Sequence, residues 1–324
     1  DVVAYNNYPV WGGQKEPIPA WEIACGLDYM RGIKGQNFWI TEAIMGAQGH
    51  DVIGYLPRPR QAKMWSYQGI AHGCSSLMYF RYRGATKGAE QYCYGIIDQD
   101  NVKRRKFYEV QSFFKEMKEN EALTQSEVKS DVAVVYDYES MASFRIQRQS
   151  FLMDYKQEVY RLYRPFYKKN INMDVIPSDS DFDKYKVLLL PVMIVHKKEV
   201  QDKVRKFVSG GGTVVFTYRT AVKDYYNNLT LGQFNPTYYT DLVGGYVEEV
   251  ESFQDDQVAF LIGNEEFEGI NGTATVFRDM LKTTTAKTLF KYEDEFFEDL
   301  AAVTLNEYEG GKVYYIGSGA DNTI

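Results

Sequence analysis

Apolar and polar positions along this chain follow two periods, and the periods trade places repeatedly. Residues 1–8 carry a strand pattern that ends in the polar run Asn6-Asn7-Tyr8 before Pro9. Trp21 to Ile33 carries a helical one. Phe38-Trp39-Ile40-Thr41 is a short aromatic and β-branched run, set off by turn chemistry at Gly35-Gln36-Asn37 and closed by Glu42. A helix is predicted over Arg60–Ala71 and a strand over Ser76–Tyr82. Lys103 to Leu123 then reads as a long amphipathic helix, with Val110, Phe113, Phe114 and Met117 on one stripe. Residues 1–124 thus predict β-α-β-α-β-α, three units of a parallel sheet with right-handed crossovers. Three units cannot close an eight-stranded barrel.

Thr124 to Ser130 is polar and reads as a link. From Asp131 an α/β pattern restarts and defines a second domain, 130–324. Val132–Tyr136 is a continuous apolar run, as expected of a strand buried on both faces. Helices over Asp154–Lys169 and Lys198–Val208 alternate with strands over Met173–Ile176, Val187–Val192 and Thr213–Thr217. This is the pattern of a doubly wound, flavodoxin-like sheet. Gly210-Gly211-Gly212 follows a helix and precedes a strand, the wrong order for a phosphate loop and the right one for a helix C-cap. Beyond residue 245 the chain turns β-rich and acidic, with strand patterns at Tyr246–Phe253, Val258–Ile262 and Val276–Phe277, and it closes on Lys312–Ser318. The aromatic group Tyr225, Tyr226, Phe234, Tyr238 and Tyr239 is assigned to the core ahead of an interface.

Composition narrows the partners. The chain has 324 residues, 44% hydrophobic and 25% charged, as in ordinary globular proteins. A net charge of −7 argues against nucleic acid, which needs a basic face. No run approaches the roughly 18 apolar residues of a membrane span. Cys25, Cys74 and Cys93 have neither metal-ligand spacing nor a disulfide framework, which points to a reducing, cytoplasmic setting. His50, His72 and His196 are too scattered for a zinc site. The chain opens at Asp1 inside a strand pattern and stops at Ile324 just after another, so both ends read as cut and the chain as a piece of a longer protein.

Glu42 carries the main chemical signal. A carboxylate at the C-terminal end of a barrel strand points into the active-site mouth, and burying one unpaired costs several kcal/mol. On local pattern two roles stand open: a catalytic group, or a cap for the loop that follows.

The combination of FWITEA, a Gly-bearing loop, PRPRQAKMWSYQGIAHG, MYFRYRGATKGAEQY and a flavodoxin-like domain resembles glycoside hydrolase family 42 β-galactosidases. The opening DVVAYNNYP resembles the end of that family's sixth barrel strand. The resemblance implies strands six to eight of a (β/α)8 barrel, followed by a trimerisation domain of class I glutamine amidotransferase-like α/β fold. It implies a retaining mechanism on β-galactosides or related oligosaccharides, with two carboxylates about 5–5.5 Å apart, a homotrimer, and no metal or organic cofactor. Glu42 matches the strand-seven nucleophile. Tyr8 resembles the tyrosine that hydrogen-bonds near it, Phe80 an aromatic lining the sugar pocket, and Glu90 a carboxylate that binds galactose hydroxyls. His50 stands where the family usually has Trp, and Cys93 where it often has His. Both count as substrate-binding positions, and both departures bear on sugar preference. The family's acid/base belongs to an Asn-Glu pair on strand four. Asn120-Glu121, Asn264-Glu265 and Asn306-Glu307 are all misplaced for it, so the isolated chain is expected to be inactive. The competing reading is a non-catalytic oligomerisation or carbohydrate-binding module. An amidotransferase is disfavoured because its Cys nucleophile needs a His partner, and every cysteine precedes residue 94.

Overall fold

The structure is a computed structural model that describes residues 1–321. It divides into two compact units, Asp1–Lys129 and Ser130 onward.

In the first unit, strands β1 (Ala4–Asn7), β2 (Phe38–Ile44) and β3 (Cys74–Phe80) lie parallel and in chain order. Helices α1 (Ala20–Lys34) and α2 (Gln61–Ala71) make the crossovers, and α3 (Arg105–Glu119) follows β3. Gly35 closes α1 in the left-handed region at φ 61°, where a residue without a Cβ is unstrained. Phe38 and Ile40 on β2 pack with Ile23 and Leu27 of α1 and Ala62 and Trp65 of α2, all buried. The long helix expected over Lys103–Leu123 is interrupted. Asn120 leaves helical geometry at ψ 41° and turns its side-chain amide back onto the Glu116 carbonyl, 2.8 Å away. A short α4 (Glu121–Gln125) then restarts. Asn prefers such local bonds over the helical ladder, and apolar periodicity does not register them.

The second unit contains an eleven-stranded mixed sheet among the described residues. Its elements are β4 (Val132–Tyr136), α5 (Tyr138–Ile146), α6 (Tyr155–Lys168), β5 (Met173–Pro177), β6 (Val187–Leu190), α7 (Lys198–Ser209), β7 (Thr213–Thr217) and α8 (Thr240–Val243). They continue with β8 (Gly245–Ser252), β9 (Ala259–Gly263), β10 (Asn271–Thr283), β11 (Lys287–Tyr292), β12 (Ala301–Tyr308), β13 (Gly311–Ile316) and β14 (Ser318–Ala320). The parallel part runs β5-β4-β6-β7-β13. In order of appearance that is 2-1-3-4-5, the flavodoxin arrangement. The remaining strands pair antiparallel. β9, β10, β11 and β12 pair in a ring that closes through Leu281 and Ala301. Leu261, Ala274, Leu289, Phe290 and Ala302 are buried in the cluster these strands build.

Two details depart from expectation, and one helix lies where the sequence pattern assigned no element. The strand expected to reach Val192 stops at Leu190, because Val192 adopts φ 39° and gives its N–H to the Thr217 hydroxyl at 2.7 Å. Tyr138–Ile146 is helical: Asp137 caps it, accepting from the Ser140 N–H at 3.0 Å. Of the five aromatics assigned to the core, only Tyr239 is buried; Tyr225, Tyr226, Phe234 and Tyr238 are exposed. Composition cannot separate aromatics on a strand from aromatics on a loop, and these four lie on the loop between Asp224 and α8. No helix among the described residues is long and apolar enough to cross a membrane.

Candidate active site

Period-two alternation would put Glu42 on the same face of β2 as Phe38 and Ile40, against the helices. The pairing on both sides prevents this. β1 pairs Tyr5 with Ile40 but Asn6 with Glu42, and β3 pairs Leu77 with Ile40 but Tyr79 with Ala43. Thr41 and Glu42 therefore sit at a double irregularity, and such bulges re-aim side chains. Glu42 is half-buried, whereas Ala43 and Ile44 beyond it are enclosed.

Tyr8, just past the end of β1, donates its phenol to Glu42 Oε2 at 2.7 Å. Burial, then the hydrogen bond and charge of Glu42, push that phenol far above its ordinary range. Tyr8 therefore keeps its proton at neutral pH and remains a donor. Thr41 donates to Asn6 Oδ1 at 2.9 Å, tying the same two strand ends together.

An aromatic row adjoins the pair. Tyr8 meets Phe80 edge-on at 6.4 Å and Trp11 at 5.0 Å, and Trp11 in turn meets His50 at 5.5 Å. Phe80 ends β3. The Arg81 guanidinium lies 4.2 Å over its ring and forms an ion pair with Glu90. Glu90 begins outside any strand, in the short turn Ala89–Tyr92, and its charge reaches the Tyr8 phenol.

The structure thus brings Glu42, Tyr8 and Phe80 into direct succession, with Glu90 joined to Phe80 through Arg81. His50 stands exposed beside Trp11. Cys93 is set differently: it is fully buried, its thiol 3.7 Å from the Gly49 carbonyl, behind the loop that follows β2. That loop is also held by Gln48, fully buried, whose amide donates to the carbonyls of Tyr94 at 3.0 Å and Phe80 at 3.3 Å. Sequence reasoning passed over Arg81, Gln48 and Trp11 as site residues. Arg81 had one usable signal, a cation directly after an aromatic strand end. The three Asn-Glu pairs set aside from sequence have structural places: Asn120 breaks a helix, Asn264 caps a single turn, and Asn306 bonds the carbonyls of α8.

Comparison with known proteins decides the lineage. The model of the β-galactosidase trimerisation domain family matches residues 130–324, and that of the β-galactosidase family matches residues 1–120. The chain belongs to glycoside hydrolase family 42. β-Galactosidase BgaA of Clostridium cellulovorans is 33% identical over 98% of this chain and 48% of its own length. β-Galactosidase BgaP of a Planococcus strain is 28% identical over 99% of this chain and 48% of its own. The crystal structure of a Bacillus circulans β-galactosidase superposes with a TM-score of 0.93 at 28% identity, over all of this chain and 48% of that one. The chain therefore spans about half the length of the family 42 relatives it matches.

Proposed function

We propose that residues 1–129 carry the nucleophile side of a retaining β-galactosidase site, with Glu42 as the nucleophile. The observation that carries this reading is the Tyr8–Glu42 hydrogen bond at a bulged strand end. A protonated phenol on Oε2 fixes the carboxylate plane and leaves Oε1 to attack. In this reading Oε1 forms a bond to the anomeric carbon as the glycosidic C–O bond breaks, and water later hydrolyses the glycosyl ester. The acid/base carboxylate that protonates the leaving oxygen comes from the part of the relatives' length that this chain does not span. Phe80 and Trp11 present ring faces and edges to a sugar. Glu90, oriented by Arg81, accepts from its hydroxyls. His50 borders the outer part of the site. Cys93 supports the loop from behind.

The second unit is proposed to assemble three copies, as the trimerisation-domain match supports. The substrate class is a terminal β-galactoside, by analogy with the named relatives.

The test uses the full-length protein. Glu42→Ala should lose turnover of nitrophenyl β-galactoside and regain it in azide, yielding the α-galactosyl azide. That inverted product is specific to replacing a nucleophile. A β-galactosyl azide product, or unchanged turnover, would remove Glu42 from this role.

A further inference from the structure

The loop from Tyr225 to Tyr238 in the second unit is unlike the rest of the surface. No charged residue lies between Asp224 and Asp241, in a chain that is 25% charged. Its large side chains point outward: Leu231 is 97% exposed, Tyr226 81%, Leu229 69%, Phe234 64%, Tyr225 60% and Tyr238 48%. Taking about 200 Å² for each aromatic side chain when fully open, the four aromatics leave roughly 500 Å² uncovered, and the two leucines add to it. Monomeric proteins rarely expose apolar patches beyond a few hundred Å², and each partner of a standard interface contributes about 800 Å². Depletion of charge with enrichment of tyrosine is also the composition of an interface core.

The loop is held firmly while its side chains remain uncovered. Asp224 and Asn228 close it by a backbone bond of 2.9 Å. Thr237 N–H bonds the Ala221 carbonyl at 3.1 Å, and Val247 N–H bonds the Asn235 carbonyl at 2.8 Å. Asn227 accepts from Ser143 of α5 at 2.6 Å and from Lys223 at 3.1 Å. Phe234 leans on Tyr246 of β8, with ring centroids 4.5 Å apart. A surface fixed before contact loses less conformational entropy on association. Beside it a cleft of about 800 Å³ opens between this loop and the first turns of α7, lined by Tyr225, Tyr226 and Tyr238 on one side and Lys198, Gln201 and Arg205 on the other. Gln201 is buried there, and its amide nitrogen has no partner among the described residues.

We propose that the Tyr225–Tyr238 loop is the surface by which one copy of this chain grips the next. The inference rests on the trimer reading above and adds where the contact lies. A three-fold ring uses heterologous contacts, so the loop meets a different surface of its neighbour, and one altered residue is repeated at all three joints.

The test is the mass in solution of the full-length protein and two variants, by light scattering on a size-exclusion column at micromolar concentration. Leu231→Asp replaces the most exposed side chain of the loop. Phe296→Asp makes the same change at another open site, 88% exposed and outside the loop. The expected result is a trimeric wild type, a trimeric Phe296→Asp, and a Leu231→Asp whose trimer dissociation constant rises at least a hundredfold with unchanged circular dichroism. A wild type that is trimeric together with a Leu231→Asp of the same mass overturns the placement and leaves the trimer standing. A monomeric wild type overturns both. Dissociation of both variants also overturns the placement, since any added charge would then suffice.

Discussion

Glu42 and Asp137 occupy equivalent places in their two sheets. Both lie near the C-terminal end of a parallel strand, Glu42 two residues before the end of β2 and Asp137 directly after the end of β4. Glu42 is half-buried and, among the described residues, has one hydrogen bond, on Oε2. Asp137 is fully buried, and both its oxygens are engaged. Oδ2 accepts from the Ser140 N–H at 3.0 Å and its hydroxyl at 2.6 Å, and Oδ1 accepts from Lys197 at 3.0 Å. The doubly wound sheet places ligands at this end too, where strand order reverses. In this chain the reversal lies between β4 and β6, and Lys197 fills it, bonding Glu139 at 2.9 Å and Ser178 at 2.9 Å as well. A carboxylate with a spare oxygen is available for chemistry, while one with both oxygens bonded serves the fold. Strand position alone does not distinguish them.

The largest effect separates the two by activity. In the full-length protein Glu42→Gln should lower kcat by about 10⁴-fold or more, as removal of a covalent nucleophile does, with little change in the urea midpoint. Asp137→Ala should do the reverse. Removing one partner of a buried pair costs about 3–5 kcal/mol. The low end, about 3 kcal/mol, is expected because Glu139 still pairs with Lys197. Urea unfolding measures it. A stable Asp137→Ala protein would mean that this carboxylate is not structural.

The same pair makes a pH prediction. Burial pushes the Asp137 carboxyl up, but the Ser140 hydrogen bonds and the Lys197 ammonium outweigh it and hold the group below its ordinary 3.8. A carboxyl whose folded pKa lies below its unfolded one stabilises above the unfolded value. That contribution is lost as pH falls through the folded value. Lys197 is displaced upward, so its own contribution is complete at acid pH and fades only as pH rises through its folded pKa, above 10.5. The loss of stability below pH 3.8 therefore belongs to Asp137 in this pair, and Asp137→Asn should flatten that limb. An unchanged acid limb would show that the ion pair contributes nothing net.

Tyr8→Phe asks how far Glu42 depends on this donor, its one hydrogen-bond partner among the described residues. A hydrogen bond to a charged group is worth about 1.5–3 kcal/mol. If it holds the attacking carboxylate in the transition state, kcat should fall by roughly 10- to 100-fold with KM nearly constant. A rise in KM alone would make Tyr8 a substrate contact and not an orienter of Glu42.

Much of this was legible from pattern. The three βα repeats of the first unit and the parallel strands of the second are long apolar runs between glycines and prolines, which periodicity reads well. Glu42 was legible because it ends such a run. What escaped depended on pairing. The bulge that turns Glu42 away from the helices is a property of three strands together, and no single strand records it. Ala301–Tyr308 was missed as a strand because polar Thr304 and Asn306 interrupt its apolar positions, and both are buried by neighbours distant in sequence. Loop aromatics were misassigned for the same reason: burial is decided by what lies opposite.

Cys93 gives the smallest effect and the sharpest version of the opening contrast, because it lies near Tyr8, the donor to Glu42, yet resembles Asp137 in enclosure. The family resemblance makes it a substrate-binding position, but the side chain is fully buried and its thiol faces the Gly49 carbonyl. A weak S–H bond and a small packing volume are all that Cys93→Ala removes, so the expected cost is about 1 kcal/mol of stability. KM for a nitrophenyl β-galactoside should stay within about threefold of wild type, since a pocket contact that touches the sugar is worth about 1–3 kcal/mol. A tenfold rise in KM with unchanged stability would mean that the loop opens and presents Cys93 to the sugar. It would also mean that enclosure in the free chain is a poor guide to which side chains near Glu42 take part in binding.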